Sequence, residues 1–203
     1  MLLLIMAGAD ARADAPIVVV STLGGLAIES WGTHTGLWTY FTRERPPLWI
    51  IPAWPVASLA IDRLTRGLNR LSPRHVRFDI LYWLIFVVFY ALMIAFVRPF
   101  ASTAPTLMAL ALSLLIILTP TDHRLVVLTF IAASGLGYWL ERWGTTRECW
   151  TYYTRQTPPL FAVLAHGMAA GAFWRAGLLL KQMRTQWRST VRSSRTLPAT
   201  QYS

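Results

Sequence analysis

Glu29-Ser-Trp-Gly-Thr-His-Thr-Gly-Leu-Trp-Thr-Tyr-Phe-Thr-Arg-Glu-Arg-Pro-Pro-Leu48 returns without a gap as Glu141-Arg-Trp-Gly-Thr-Thr-Arg-Glu-Cys-Trp-Thr-Tyr-Tyr-Thr-Arg-Gln-Thr-Pro-Pro-Leu160. Twelve of the twenty positions are identical, at an offset of 112 residues (141 − 29). Self-similarity of that strength marks an internal duplication. The shared residues include a carboxylate, two tryptophans, a tyrosine and an arginine rather than the aliphatics that fill a core. The repeat therefore bears on function as well as on fold.

The flanks of the repeat point to a membrane. Apolar residues make up 55% of the chain and its mean hydropathy is +0.44. The run 78–97 carries a single acid, Asp79, at its edge, and a helix of about 20 such residues crosses a bilayer. Residues 105–118 and 125–140 are uncharged, and 159–180 contain only His166 and Arg175 as ionisable groups. With the weaker runs 17–28 and 48–61, six transmembrane helices are expected, near 15–31, 47–65, 78–98, 104–119, 124–142 and 158–180. A soluble helical protein would need a charged stripe along each helix, whereas residues 80–118 hold only Arg98. The expected fold is all-α: a polytopic membrane protein of six spans with a parallel duplication of a helix–loop–helix unit.

These boundaries give one transmembrane domain over 1–182 and a basic, flexible cytoplasmic tail over 183–203. Within the domain, repeat one covers 17–62, two intervening helices cover 78–119, and repeat two covers 125–174. The first residues resemble a short signal peptide ending Ala11-Arg12-Ala13, without a basic leading segment; an alternative start explains them equally well. Residues 17–28 precede Glu29 as 129–140 precede Glu141, so the first run should be a helix like the fifth.

A formal charge of +10 raises the question of nucleic acid, and its distribution answers it. Arg63, Arg66, Arg70, Arg74 and Arg77 lie between helices two and three, and Lys181, Arg184, Arg188, Arg192 and Arg195 follow helix six. In a six-helix chain both clusters fall on one side, and an excess of Lys and Arg marks the cytoplasmic side. The expectation is a multi-pass protein of the cell membrane with both termini cytoplasmic, its basic clusters facing anionic lipid headgroups rather than DNA or RNA. Four crossings separate the repeats, so both motif loops should lie outside, related by an axis near the membrane normal. Two copies meeting across that axis would build one central site; two separate pockets are the alternative.

Glu29 and Glu141 end apolar runs, at a depth where an ionised carboxylate is costly unless paired. They are the candidates for acid–base work; pairing with Arg43 and Arg155, or capping of backbone amides, is the structural alternative. Trp31, Trp38, Tyr40, Trp143, Trp150 and Tyr152 suit either the interfacial aromatic belt or the walls of a site for a lipid or isoprenoid. Arg43 and Arg155 could hold a phosphate or headgroup. Gly32 and Gly144 are placed to let the chain leave the helix, Pro46-Pro47 and Pro158-Pro159 to start the next one, and Gly167 and Gly171 to allow close helix packing. The four histidines lack ligand spacing, and His166, which aligns with Trp54, reads as a packed side chain. The single cysteine, Cys149, aligns with Leu37 and reads as filler. No zinc signature, phosphate loop, nucleophile elbow or dinucleotide turn is present, so no metal or cofactor is expected.

Glu29-x-x-Gly32-x-x-Thr35-Gly36-x-x-x-Tyr40, followed by Pro47-x-x-x-x-Pro52-x-Trp54, resembles a pattern in integral-membrane carotenoid-biosynthesis hydratases. The resemblance covers residues 25–60. It implies water addition to an isoprenoid double bond, with Glu29 as proton donor and an isoprenoid or carotenoid as ligand. Copy two departs from it, with Arg147-Glu148 for Thr35-Gly36 and His166 for Trp54. The rival expectation is a non-catalytic accessory subunit whose aromatic loops dock on a larger membrane complex.

Overall fold

The computed structural model describes residues 2–73 and 75–195. A short helix α1 (Leu2–Met6) precedes α2 (Ala11–Thr35), strand β1 (Trp38–Tyr40), α3 (Ile50–Leu71) and α4 (Phe78–Val97). A 3-10 turn (Arg98–Phe100) leads to α5 (Ala104–Leu118), and α6 (His123–Thr146), β2 (Trp150–Tyr152) and α7 (Leu160–Arg195) follow. Local chemistry sets several ends. The Asp10 carboxylate caps α2 by accepting from the amides of Arg12 at 2.8 Å and Ala13 at 3.4 Å, and Asp122 caps α6 through Leu125 N at 3.0 Å, satisfying donors that lack an intrahelical partner. Gly36 closes α2 in the left-handed conformation, φ 78°, which glycine adopts without a Cβ clash.

Four helices are long and apolar enough to cross a membrane: Ala11–Thr35, Phe78–Phe100, His123–Thr146 and Leu160–Trp187. The other two expected spans fall short for different reasons. The second half of α3 bears Asp62, Arg63, Arg66 and Arg70. At 15 residues, α5 reaches about 22 Å, less than the roughly 30 Å of a hydrocarbon core. A further difference lies at the C-terminus. The helix α7 continues to Arg195, so residues 183–195 prolong it where a flexible tail was expected; 196–203 lie outside the described residues.

Within each repeat the two helices form a hairpin, α2 on α3 and α6 on α7, and across the repeats α2 packs on α7 and α3 on α6. Gly167 fits that packing, since a Cβ there would press on Ser134 and Phe130 of α6. The intervening α4 lies against α6 and α7, while α5 touches α4 and α2. Their contact surface is the main core, with Tyr82, Phe86, Phe89, Met93 and Phe96 buried.

The ends of the bundle differ. At one end Arg63 is buried and paired with Asp14 at 2.6 Å and Asp62 at 2.8 Å. There too Arg124 donates to the carbonyls of Asn69 and Ser72 at 3.0 and 2.9 Å. At the other end the two strands pair antiparallel, in the register Trp38↔Tyr152, Thr39↔Thr151, Tyr40↔Trp150. This ribbon departs from the expected all-α fold. Three-residue strands have no stability of their own; these are held because each is anchored to the end of its own helix.

Candidate functional site

Glu29 is buried near the end of α2. Its Oε2 accepts from Trp38 Nε1 at 3.0 Å and Tyr40 Oη at 2.8 Å, and its Oε1 from Trp54 Nε1 of α3 at 3.2 Å. Glu141, buried near the end of α6, accepts from Trp150 Nε1 at 2.9 Å, Tyr152 Oη at 2.9 Å and His166 Nε2 of α7 at 3.0 Å. Trp54 and His166 are the same position of the repeat, 112 residues apart (166 − 54). An ionised Glu141 requires His166 in the form that carries hydrogen on Nε2, either that tautomer or the imidazolium.

The match extends to the supporting groups. The hydroxyls of Thr33 and Thr145 donate to the carbonyls of Glu29 and Glu141 at 2.7 and 2.6 Å. Phe41 N donates to Cys149 O at 3.1 Å, and its counterpart Tyr153 N to Leu37 O at 3.0 Å. Thr39 and Thr151, equivalent residues, face each other at the centre of the ribbon. Trp54 and His166, also equivalent, stack at 5.8 Å with 25° between ring planes. An exchange that swaps the copies must pass between both pairs, so two points fix a local twofold running from the ribbon into the bundle. The Trp38 ring tilts against Tyr152 at 5.9 Å and Tyr40 against Trp150 at 6.1 Å. The copies thus share one aromatic cluster at the ribbon, with a carboxylate on either side.

Two expectations are corrected here. Gly32 and Gly144 do not release the chain from the helix; both sit inside their helices, and a Cβ on either would overlap the ring of Trp38 or Trp150. Each glycine is the seat of the tryptophan that reaches its glutamate. Second, neither Arg43 nor Arg155 pairs with a motif glutamate. Both side chains are exposed, and among the described residues neither has an ion-pair partner. Both have left-handed backbones, φ 61° and 59°, in turns closed by Arg43 N to Tyr40 O at 2.9 Å and Arg155 N to Tyr152 O at 3.0 Å.

Each arginine lines a cleft on the ribbon. The larger, about 480 Å³, is bounded by Thr33, Thr39, Tyr40, Arg43, Arg45 and Glu148 among others, and the smaller, about 180 Å³, by Thr145, Thr151, Arg155 and Gln156 among others. Only the first reaches the volume of a typical small-molecule site, roughly 300–1,000 Å³. Trp31 packs edge-on against Trp38, ring centroids 6.2 Å apart, and donates to Thr106 Oγ1 at 3.1 Å. Trp143 is exposed, with the Arg147 guanidinium 5.5 Å from its ring centroid.

This geometry says what the carboxylates do. Each already accepts three hydrogen bonds from groups of its own fold, and two of the three come from the loop it anchors. In this arrangement the oxygens of both carboxylates are taken up by donors of their own fold, which ties each loop to its helix. Burial, and then the adjoining carboxylate, hold the phenols of Tyr40 and Tyr152 above the ordinary tyrosine range, so both remain donors. Trp54 and His166, the third partners, stand outside the twenty-residue match; carrying its offset past Leu48 and Leu160 and noting that both side chains offer a ring N–H would have found them. Compared with models of known protein families, with characterised proteins and with solved structures, the chain matches none.

Proposed function

We propose that this is a multi-pass membrane protein that binds an amphiphile, a lipid or isoprenoid with a phosphate-bearing head, at its extracytoplasmic face. The observation that carries the reading is the pair Arg43 and Arg155. Glycine occupies left-handed backbone at roughly 1–2 kcal/mol less cost, yet both copies have an exposed arginine there, without an ion-pair partner among the described residues, at the mouth of a cleft. Strain that is maintained by its surroundings is a sign of a working position, and a planar guanidinium suits phosphate. The lining of the larger cleft carries both signs, Arg43 and Arg45 with Glu44 and Glu148, and so favours a zwitterionic or phosphate head over a bare hydrocarbon.

In this reading the copies descend from one duplicated helix–loop–helix unit inserted twice in the same orientation, and α3 and α5 complete six crossings through packing with their neighbours. Arg63, Arg66, Arg70, Arg77, Arg124, Arg175 and Lys181 gather at the end opposite the ribbon, which makes that end cytoplasmic by the positive-inside rule. Glu29 and Glu141 are assigned to structure, and the carotenoid resemblance is kept at the level of ligand class, not of hydration chemistry. The test is mass spectrometry of lipid extracts from protein purified in mild detergent. One amphiphile near stoichiometry, lost in Arg43→Ala, supports the proposal; no enriched amphiphile, or one indifferent to Arg43→Ala, overturns it.

A further inference from the structure

The two copies agree at the ribbon and disagree on what covers their helices. In copy two, α4 fills the groove between α6 and α7. Phe86 and Phe89 meet Phe130 with ring centroids at 5.2 and 6.3 Å, and Phe89 and Phe96 stack on Phe161 at 5.9 and 4.5 Å. Tyr153 adds a hydrogen bond to the Phe96 carbonyl at 2.5 Å. Under this cover Phe130, Phe161 and Met168 are 4, 7 and 6% exposed. Their counterparts 112 residues earlier are Val18, Trp49 and Val56, and these are 36, 43 and 44% exposed. Phe41, the counterpart of Tyr153, is 71% exposed.

The uncovered groove of copy one is closed at its far end, one turn before Val18, and open from there toward the ribbon. At the far end α1 packs on α3, and the Arg63 guanidinium is ion-paired with Asp14 and Asp62. Its counterpart Arg175 instead reaches Thr119 Oγ1 at 2.5 Å and Pro120 O at 3.3 Å, beyond the end of α5. Thus the half that could carry an unmet charge is closed from within, and what remains open, around Trp49 and Val56, is apolar.

We propose that this ribbon-side half of the α2–α3 groove is the docking site for an apolar transmembrane helix of a second, different polypeptide, seated as α4 is seated against α6 and α7. The occupant follows from the fold: the equivalent surface is filled by a helix carrying phenylalanines at Phe86, Phe89 and Phe96. A second copy of this chain could not offer the same ridge, because its own α4 buries it internally. Between helices in lipid the gain comes from close packing, since lipid tails are as apolar as the side chains; a ridge fitting a preformed groove supplies that packing. The inference makes no use of the Arg43 cleft, and either can fail alone.

The test places the photoreactive residue p-benzoylphenylalanine at Trp49, at Val56 and, as control, at Leu84, which is exposed on α4. The full chain is irradiated in its native membrane. All three sites are exposed; Trp49 also packs edge-on against Tyr40, ring centroids 5.3 Å apart, so Val56 is the site free of that contact, and insertion of every variant is checked by membrane fractionation. Expected are polypeptide adducts at 49 and 56 but not at 84, with the cross-linked peptide mapping to an uncharged segment long enough to span the bilayer. Adducts to a second copy of this chain, lipid adducts alone, or equal polypeptide adducts at all three sites would each overturn the proposal.

Discussion

Each motif glutamate is the hub of three hydrogen bonds, and that makes its replacement a question of stability before activity. Removing an acceptor leaves buried donors unmet, at roughly 1–3 kcal/mol apiece, against a total stability of about 5–15 kcal/mol for a domain. Glu29→Ala and Glu141→Ala should therefore lower the melting temperature sharply or prevent accumulation in the membrane; variants that melt like the parent would show the hubs to be dispensable. The exposed arginines behave oppositely. Arg43→Gly and Arg155→Gly remove left-handed strain and are expected to hold or raise thermal stability, by up to about 1 kcal/mol each, while weakening amphiphile retention. A fall in stability would mean that the guanidinium supports the fold. Tyr40 and Tyr152 give a spectroscopic reading. Their folded values are raised above the unfolded value of about 10, so their hydrogen bonds contribute fully below that pH and weaken as pH rises beyond it. In an ultraviolet titration both should remain phenols until the fold is lost; if Tyr40→Phe removes amplitude in the ordinary range near pH 10, the burial is wrong.

At the scale of elements, the strands and helix ends depend on contacts that a single methyl group can break. Gly32→Ala and Gly144→Ala would drive a Cβ into Trp38 or Trp150, and overpacking of this kind costs about 1–3 kcal/mol or more. Each should destabilise its own loop, read as faster proteolysis between residues 36 and 49 or between 147 and 159. The register makes a separate prediction. With Cys149 changed to Leu, as in the matching position of copy one, Thr39→Cys and Thr151→Cys should join within one chain through a short bis-maleimide. A pairing shifted by one residue would put one cysteine on the opposite face of the ribbon, and the cross-link would fail. The extent of α7 also belongs here. Its apolar run ends near Leu180, where charge begins, but Lys and Arg are good helix formers and charge alone does not stop a helix.

For the whole molecule, orientation is the decisive test. With Cys149 changed to Leu, a membrane-impermeant maleimide added to intact cells should label Thr39→Cys at the ribbon and leave Ser72→Cys, at the opposite end, unlabelled; the reverse pattern would overturn the assignment of sides. The presence of apolar helices at 78–97 and 125–140 was plain in the sequence, because a bilayer demands long uncharged runs and little else provides them. Less legible was α3, whose apolar face and charged final turns are each compatible with a buried or a spanning helix.

The sequence by itself determined that two copies of one motif exist, that they carry Glu, Trp and Tyr at fixed spacing, and that they sit between apolar helices. Identity at matched positions is a local property, and so is hydropathy. Only the tertiary structure decided what the motif residues do. Trp38 and Tyr40 turn back to Glu29 because the ribbon folds over the end of α2, and Trp54 joins them from α3; no spacing in the chain distinguishes that arrangement from a Glu–Arg pair. The partnership of β1 with β2, the meeting of Trp54 with His166, and the covering of one groove but not the other all join residues far apart in sequence. Such contacts are set by packing in three dimensions, and a periodicity read along one chain does not contain them.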